Sequence, residues 1–297
     1  MQSHVSYIKQ NIIPASVPHS LRKIFKDNYE FATRQTGRLY LLAGDQKIEH
    51  FNRDFWGEGL PREVGNPEFL FKIARNGDVG VFATHLGLVE RYGEGYKDVP
   101  YVVKLSAKTN LAPLSRKEPM SLPITNVEQV VRFKKYSKLS IVGVGCTLYL
   151  GSEYEGDMLS QAAQVIYQAH QNGLIVILWA YPRGAFASLI SAEEMLKGIA
   201  GVAVSLGADF VKIEIPEDIK GEKKLSLLSE ISYLAGTTKV ICAGGKKREK
   251  KDFLEDLWLQ INRCGIAGIA VGRNIYQQTL NAALSLSREV SSIVYKR

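Results

Sequence analysis

The sequence predicts an α/β fold, a TIM (β/α)8 barrel with a short N-terminal helical extension. Eight short apolar runs, rich in Val and Ile, alternate with longer amphipathic segments along most of the chain. Nearly continuous apolar runs of this kind are typical of parallel strands that are covered on both faces. An eightfold alternation of strand and helix is the pattern of this barrel. The runs are Leu39–Asp45, Val79–Thr84, Tyr101–Ser106, Ser140–Cys146, Leu174–Trp179, Phe210–Ile215, Lys239–Ala243 and Gly268–Val271.

Six of the segments between and after these runs have the pattern of helices. Asn126 and Ser191 are candidate N-caps, and Gly173 and Gly207 follow two of the helix ends. An open doubly wound sheet is the alternative fold. It normally has a glycine-rich turn after its first strand, whereas the sequence DQKIEH stands there in this chain. The predicted helices are Asn66–Asn76, Asn126–Tyr136, Asp157–Asn172, Ser191–Leu206, Asp252–Arg263 and Arg273–Glu289.

Neither a linker nor an internal repeat divides the chain. We expect residues 39–297 to form the catalytic barrel and residues 1–38 to form an extension that caps its base. Of the 297 residues, 45% are hydrophobic and 23% are charged, as in ordinary globular proteins. The first residues lack the apolar stretch of a secretory signal, and no apolar run approaches the ~20 residues of a membrane helix. We therefore expect a cytoplasmic protein without a membrane partner.

The three cysteines, Cys146, Cys242 and Cys264, have no CxxC spacing and are odd in number. This indicates buried, reduced thiols rather than a disulfide framework or a zinc site. The net charge of +8 is compatible with anionic ligands, phosphates or nucleic acid and does not choose among them. The densest basic stretch, Lys246–Lys251, has no aromatic or groove-reading element beside it. We expect a solvated loop there and no nucleic-acid partner.

The sixth apolar run, Phe210–Ile215, carries the most informative residue. Alternation along a strand turns its three aliphatic residues toward the helices and places Phe210, Lys212 and Glu214 inside the barrel. Burying a lysine inside a barrel costs free energy, so such a lysine is normally in an ion pair or has a function. Because desolvation lowers the pKa of a lysine, it yields the nucleophilic amine that Schiff-base chemistry requires. The alternative is an ion pair between Lys212 and Glu214 without catalysis.

Other polar residues lie at the carboxyl ends of predicted strands, where a TIM barrel has its active site. The fifth strand is followed by Tyr181 and ends in Trp179, which offer a proton-transfer group and an apolar wall. The alternative is that these two large side chains only close the top of the barrel. The first strand ends in Asp45, and His50 follows shortly after it. Their spacing does not favour a metal site, and we expect no metal and no other cofactor.

The loops after the seventh and eighth strands have the composition of a phosphate site. They contain Gly244 and Gly245 in one loop and Gly272 and Arg273 in the other. Glycines let backbone N–H groups approach a phosphate closely, and an arginine adds a bidentate contact. TIM barrels often bind a phosphate at these two loops. Lys104, at the end of the third strand, is a further candidate to meet an anionic ligand.

Five motifs, taken together and in order, resemble those of the archaeal-type class I fructose-bisphosphate aldolases, which include a bacterial branch. This group lies within a wider family of deoxyribose-phosphate aldolase-like Schiff-base aldolases. The resemblance runs from about Leu39 to Gln277, and no single motif would carry it. The motifs are GDQKIEH (44–50), LWAYPRG (178–184), GADFVKIE (207–214), AGGKK (243–247) and VGRNIYQ (271–277).

The resemblance implies a role for each candidate site residue. Lys212 would form the Schiff base, and Tyr181 would transfer protons. Trp179 would line the substrate site, while Asp45 would contact substrate hydroxyls and support proton transfer. The residues implied to hold one phosphate and the rest of the substrate are Gly244, Gly245, Gly272, Arg273, His50 and Arg183.

The activity that the resemblance implies is a metal-independent lyase reaction of glycolysis or gluconeogenesis. It is the reversible cleavage of fructose 1,6-bisphosphate to dihydroxyacetone phosphate and glyceraldehyde 3-phosphate. The alternative is a related Schiff-base aldolase or transaldolase that acts on another sugar phosphate, for example in the synthesis of aromatic amino-acid precursors. A homo-oligomer is also implied, without a fixed number of subunits.

Two departures from the archaeal pattern border the expected substrate. Gln46 and Lys47 stand where archaeal members have a His-Gly pair. The sequence AGGK at 243–246 stands where they tend to have Ser-Gly-Gly-Pro. These differences leave the identity of the sugar more open than the chemistry.

Overall fold

Eight parallel strands close into a barrel in the computed structural model, which describes residues 13–110 and 118–296. Each strand pairs with the next along the chain, and the eighth returns to the first through Gly268 and Leu39. The predicted TIM barrel is therefore confirmed. Its strands are β1 Leu39–Ala43, β2 Val81–Thr84, β3 Tyr101–Lys104, β4 Ile141–Leu150, β5 Ile175–Pro182, β6 Phe210–Ile213, β7 Lys239–Ala243 and β8 Gly268–Val271.

Helices cover the outside of the barrel. The predicted caps are in place: Asn126 accepts a hydrogen bond from the backbone of Gln129 in a capping box, and Ser191 caps the helix that follows it. A two-residue antiparallel ladder joins Ser106–Ala107 to Leu122–Pro123. The α-helices of the described residues are α1 Arg22–Thr33, α2 Gln46–Glu49, α3 Glu68–Asn76, α4 Leu86–Tyr92, α5 Val127–Ser137, α6 Glu155–His170, α7 Ala192–Leu206, α8 Gly221–Leu234, α9 Lys250–Arg263, α10 Arg273–Tyr276 and α11 Leu280–Tyr295.

The observed helices differ from the predicted ones in two respects. The sequence pattern did not predict α4 or α8. Helix α8 has no side-chain cap, and its buried positions are few, so its periodic signal is weak. The predicted helix Arg273–Glu289 is two helices, α10 and α11, because the chain leaves the helical conformation between Gln277 and Thr279.

The strands also differ from prediction at their carboxyl ends. Strand β4 continues past Cys146 to Leu150, and β5 continues to Pro182, because the two strands stay paired over this whole length. Strand β1 ends at Ala43, so that Asp45 lies at the N-cap of α2 rather than in the strand. These differences all lie at the end of the barrel where the polar residues gather.

Alternate residues of each strand pack into two different apolar layers. Val211 and Ile213 of β6 pack outward against the helices, whereas Phe210 packs inside the barrel, as the alternation predicted. The interior layer also contains Trp179 of β5. The inward direction of Lys212 follows, because it alternates with these aliphatic neighbours.

Helix α1 covers the base of the barrel. Phe25 is buried in the interior layer, and the Tyr29 ring stacks on Phe210 with centroids 5.6 Å apart. The Asn28 side chain donates a hydrogen bond to the Gly173 carbonyl at 2.7 Å, at the start of β5. Residues 1–12 of the predicted extension lie outside the described residues, and the domain boundary at residue 38 stays a prediction.

Two further expectations concern the surface and the thiols. Cys146, Cys242 and Cys264 are buried and unpaired, as predicted. No helix within the described part of the chain is long and apolar enough to cross a bilayer. The basic stretch Lys246–Lys251 forms a loop and the first residues of α9, and its charges contact acidic residues of neighbouring elements. These ion pairs are Lys246–Glu217 at 3.1 Å, Arg248–Asp256 at 2.6 Å and Lys250–Glu289 at 2.7 Å.

Candidate active site

A cavity of about 460 Å³ opens at the carboxyl ends of the barrel strands. Every predicted site residue except one lines it. The exception is Trp179, which is fully buried and lies two residues deeper along β5 than Tyr181. The fold thus gathers side chains that are far apart in the sequence. The lining residues that the sequence had predicted are Asp45, His50, Tyr181, Arg183, Lys212, Gly244, Gly245, Gly272 and Arg273.

Lys212 lies on β6 and points into the barrel, with 6% of its surface exposed. Its Nζ atom is 5.9 Å from the ring centroids of both Trp179 and Tyr181. Within the described residues Lys212 forms no ion pair, and Glu214 contacts Arg183 at 3.1 Å instead. The predicted alternative, a Lys212–Glu214 pair, is therefore wrong. Burial lowers the pKa of Lys212, and the attraction of Asp45 opposes this only in part. The neutral form of the amine is therefore more accessible at Lys212 than at an exposed lysine.

Tyr181 lines one wall of the cavity, and Trp179 lies below it in the interior of the barrel. Burial raises the pKa of Tyr181 well above its ordinary value, so the phenol keeps its proton in the free enzyme. The Tyr181 ring stacks with Tyr149, with 6.4 Å between the centroids. The indole Nε1 of Trp179 is buried and finds no hydrogen-bond partner within the described segments. A proton donor and an apolar surface thus lie next to the Lys212 amine.

Lys104 forms a buried cluster with two carboxylates. Its side chain is wholly buried at the end of β3, and Nζ lies 2.7 Å from Asp45 Oδ2 and 2.6 Å from Glu49 Oε1. Burial alone would lower the pKa of Lys104, but Asp45 and Glu49 outweigh it and raise this pKa. Burial alone would raise the pKa of Asp45, but Lys104 and then Lys212 outweigh it and hold this pKa below its ordinary value. These two opposite shifts mean that Asp45 and Lys104 are both charged and form an ion pair.

Asp45 has one oxygen available to a ligand. Its Oδ2 atom accepts the hydrogen bond from Lys104, while its Oδ1 atom is buried and has no hydrogen-bond partner among residues 13–110 and 118–296. Buried polar atoms are normally paired, so an unpaired oxygen at the cavity wall indicates a ligand or water contact. The sequence placed Lys104 only as a possible anion contact. The available signal was the alternation in the pattern YVVK. Lys104 lies two residues after Val102, which packs inside the barrel, so the Lys104 side chain points inward as well.

In the glycine loops after β7 and β8, a side chain would be crowded at Gly244 and Gly272. A Cβ atom on Gly244 would approach Val271 Cγ2 to 2.8 Å, and one on Gly272 would approach Gln46 Nε2 to 2.8 Å. Gly245 has a φ of +71°, a conformation that favours glycine. The Asn274 side chain, which the sequence pattern did not single out, ties the first loop down. Its Nδ2 atom donates to the carbonyls of Gly244 at 2.9 Å and Lys246 at 3.0 Å.

Basic side chains surround the outer part of the cavity. His50 Nδ1 lies 2.6 Å from Asp54 Oδ2, and Arg183 is half-exposed beside Glu214. Lys108, at the outer part of the cavity, also lines it. Across residues 13–110 and 118–296, no group of three or more His, Cys, Asp or Glu side chains is arranged to hold a metal ion. The cavity thus combines a buried amine, a phenol, a carboxylate and several basic groups.

Comparison with known proteins assigns the family. A family model described as DeoC/LacD family aldolase matches residues 39–278, which is most of the chain. The chain belongs to the DeoC/LacD aldolase family. It is therefore an aldolase, an enzyme of the lyase class.

The relatives of this aldolase include a Methanocaldococcus jannaschii protein named fructose-bisphosphate aldolase/6-deoxy-5-ketofructose 1-phosphate synthase. The two are 44% identical over 281 residues, which cover 95% of this chain and 89% of the relative. The solved structure of a fructose-bisphosphate aldolase from Slackia heliotrinireducens has a TM-score of 0.92 and 44% identity, and covers 96% of this chain and 90% of that one.

A solved archaeal fructose-1,6-bisphosphate aldolase has its catalytic lysine covalently bound to the carbinolamine intermediate of the substrate. It has a TM-score of 0.77 and 29% identity, and covers 91% of this chain and 99% of that one. Schiff-base aldolases are thus among the structural relatives of this chain.

Proposed function

We propose that this aldolase is a class I fructose-1,6-bisphosphate aldolase, which needs no metal and cleaves its substrate reversibly to dihydroxyacetone phosphate and glyceraldehyde 3-phosphate. The observation that carries the proposal is the buried amine of Lys212, which has no ion pair among the described residues and faces the cavity beside Tyr181. Two groups of cationic and glycine residues at the cavity suit a substrate with a phosphate at each end. A homo-oligomer stays a prediction.

The first half of the reaction forms the Schiff base. The neutral Lys212 amine attacks the C2 ketone, and the proton that the nitrogen loses passes to the carbonyl oxygen, which gives a carbinolamine. The protonated Tyr181 phenol then donates its proton to the C2 hydroxyl, which leaves as water. The products of this step are the iminium and the Tyr181 phenolate. Because its raised pKa keeps Tyr181 protonated, this residue acts first as an acid and, once it has lost the proton, as a base.

The second half breaks the carbon–carbon bond. The Tyr181 phenolate takes the proton of the C4 hydroxyl, C4 becomes an aldehyde carbon, and the electron pair of the C3–C4 bond moves into the iminium to give an enamine. Glyceraldehyde 3-phosphate leaves. Tyr181 returns the proton to C3, and water adds to the new iminium while the phenolate accepts its proton. Collapse of the carbinolamine releases dihydroxyacetone phosphate and the free Lys212 amine.

The remaining site residues hold the substrate for these steps. The free Oδ1 of Asp45 accepts a hydrogen bond from a substrate hydroxyl, and the carboxylate stabilises the cationic iminium. Trp179 forms the apolar floor below Lys212. The glycine loops with Arg273 bind one phosphate, so that C2 stays beside the amine. His50 and Arg183 contact the other end of the substrate.

A second candidate is a related aldolase or transaldolase that acts on another sugar phosphate. It is favoured by the other half of the name of the Methanocaldococcus jannaschii relative, 6-deoxy-5-ketofructose 1-phosphate synthase. Lys212 and Tyr181 would serve in the same way, because both reactions pass through an iminium. The rate of fructose 1,6-bisphosphate cleavage, followed by the appearance of glyceraldehyde 3-phosphate, separates the two candidates.

Borohydride trapping tests the proposed chemistry. The protein is incubated with dihydroxyacetone phosphate and EDTA, reduced, and examined by intact mass and peptide mapping. A stable adduct on the Lys212 peptide, together with cleavage of fructose 1,6-bisphosphate, supports the proposal. Trapping without cleavage favours the second candidate. The absence of any adduct contradicts both.

The Arg273 side chain provides a test of the phosphate site. It faces the cavity and forms no hydrogen bond or ion pair with another residue of the described segments. Charge-assisted hydrogen bonds contribute about 1.5–3 kcal/mol each. We therefore expect Arg273→Met to raise KM for fructose 1,6-bisphosphate by about ten- to a hundredfold with a smaller change in kcat, measured by steady-state kinetics. Arg288→Met, on the exposed side of α11, is the control. An unchanged KM would exclude Arg273 from the phosphate site.

A further inference from the structure

Lys104 and Glu49, which form a cluster with Asp45, have no role in the steps above. We infer that Lys104 is a positioning residue, which holds Asp45 in place with one oxygen toward the substrate and keeps that carboxylate away from the Lys212 amine. This inference rests on the proposed Schiff-base role of Lys212.

The geometry of the cluster leaves Lys104 little freedom. Its side chain has no exposed surface, and its ammonium contacts carboxylates from two positions, Asp45 before α2 and Glu49 at the end of that helix. Hydrogen bonds of 2.7 and 2.6 Å between charged groups are short and directional. Lys104 Nζ also lies 5.2 Å from the Trp179 ring centroid. The ammonium thus contacts the loop after β1 and lies close to the Trp179 ring below the cavity.

The same contacts set the orientation of Asp45. Because Lys104 occupies Oδ2, the unpaired Oδ1 is the oxygen that remains for a ligand. Besides Lys104, Lys212 is the cationic group that most strongly lowers the pKa of Asp45, so it is the alternative partner for this carboxylate. An ion pair between Asp45 and Lys212 would consume both the substrate contact and the nucleophile. Lys104 prevents this ion pair because it already binds the Asp45 carboxylate.

The net charge around Lys212 leads to the same conclusion about Lys104. Asp45, Glu49 and Lys104 together carry one net negative charge next to Lys212, whereas the two carboxylates alone would carry two. A more negative environment favours the protonated form of a lysine. Of the two buried lysines, Lys104 therefore holds its proton more strongly, because it lies between two carboxylates, and Lys212 holds its proton less strongly. The groups that face the pair from neighbouring elements are Asp45, Glu49, His85, Tyr181 and Glu214.

The test is the pH dependence of borohydride trapping with dihydroxyacetone phosphate, mapped to the Lys212 peptide. In Lys104→Met we expect the pH of half-maximal trapping to rise by about one unit or more, because charges at this range shift a pKa by that amount. We also expect kcat for fructose 1,6-bisphosphate to fall at least about tenfold. A residue that only supports the fold would lower the yield or the stability without moving this midpoint.

Lys224→Met is the matched control. Lys224 is also largely buried and contacts a carboxylate, Asp256 at 2.7 Å, but it lies on α8 outside the barrel. Its loss should leave the midpoint of trapping unchanged. A shift as large as that of Lys104→Met would mean that any lost lysine charge has this effect, and the inference would fall.

Glu49→Gln is the second variant, because Lys104→Met leaves the buried Asp45 and the partly buried Glu49 without this partner and can fail to fold. It keeps the contact between Lys104 and Asp45 and removes one anion that favours protonated Lys212. We expect the midpoint to move downward, opposite to Lys104→Met. An unchanged midpoint in the folded variants, with the adduct still on Lys212, would overturn the inference and leave the proposed function intact. An adduct on Lys104, or none in the wild type, would overturn both.

Discussion

Lys212→Met is expected to lose fructose 1,6-bisphosphate cleavage by at least about a thousandfold, because no other group can form the covalent intermediate. The methionine matches the length of the lysine and removes only its amine, so the buried position next to Trp179 stays filled. Borohydride reduction with dihydroxyacetone phosphate should add no mass to this variant. Steady-state kinetics and intact mass measure the two effects on the same sample.

Lys239→Met is the control for this experiment. Lys239 lies at the opposite end of β7, the strand next to Lys212, and burial also lowers its pKa. The control thus compares Lys239, which is only desolvated, with Lys212, which is desolvated and also faces the cavity. Lys239→Met should keep both cleavage and the adduct. Substantial cleavage by Lys212→Met, or an adduct on a different lysine, would show that the nucleophile lies elsewhere.

Tyr181→Phe has the second largest expected effect. It removes the only proposed proton carrier, and general acid–base groups contribute about 10²–10⁴-fold to rates. We expect kcat to fall by that amount, whereas the affinity for dihydroxyacetone phosphate should change only a few-fold because the phosphate loops are untouched. The adduct on Lys212 should still form, more slowly. Rapid-quench trapping and inhibition by the product measure these two quantities.

Tyr149→Phe is the comparison for the lost hydroxyl. Tyr149 stacks on Tyr181 and lines the same cavity, but it has no proposed part in proton transfer. We expect its kcat to stay within about tenfold of the wild type, which is the lower limit of general acid–base effects. Equal losses in the two variants would indicate that the polarity of the cavity matters rather than proton transfer by Tyr181.

The sequence predicted those features that depend on local patterns. The eight strands follow from apolar runs, and the inward direction of Lys212 follows from alternation with Val211 and Ile213. The motif resemblance marked the loops that meet at the cavity, since the carboxyl ends of parallel strands all lie on one side. The same patterns did not predict α8, whose capping and amphipathic signals are weak.

Features that depend on contacts between distant segments were not predictable in the same way. Lys104 and Asp45 form an ion pair although they are 59 positions apart in the sequence, and the pattern YVVK does not indicate which carboxylate contacts Lys104. Asn274 ties down the loop of Gly244 across 30 positions. The alternative pairing of Lys212 with Glu214 was plausible from their spacing, and it failed because Arg183 is the partner that the fold supplies.

The burial of Lys212 also ties the reactivity of the amine to the stability of the barrel. Because its pKa is lower in the folded chain than its ordinary value of 10.5, the unfolded chain binds the extra proton. The free energy of unfolding therefore rises with pH between the folded pKa and 10.5, and at lower pH this lysine opposes folding. The apolar layers of the barrel and the seal formed by α1 must outweigh that penalty. Any local opening that admits water to Lys212 returns its proton, so the nucleophile is lost before the chain unfolds as a whole.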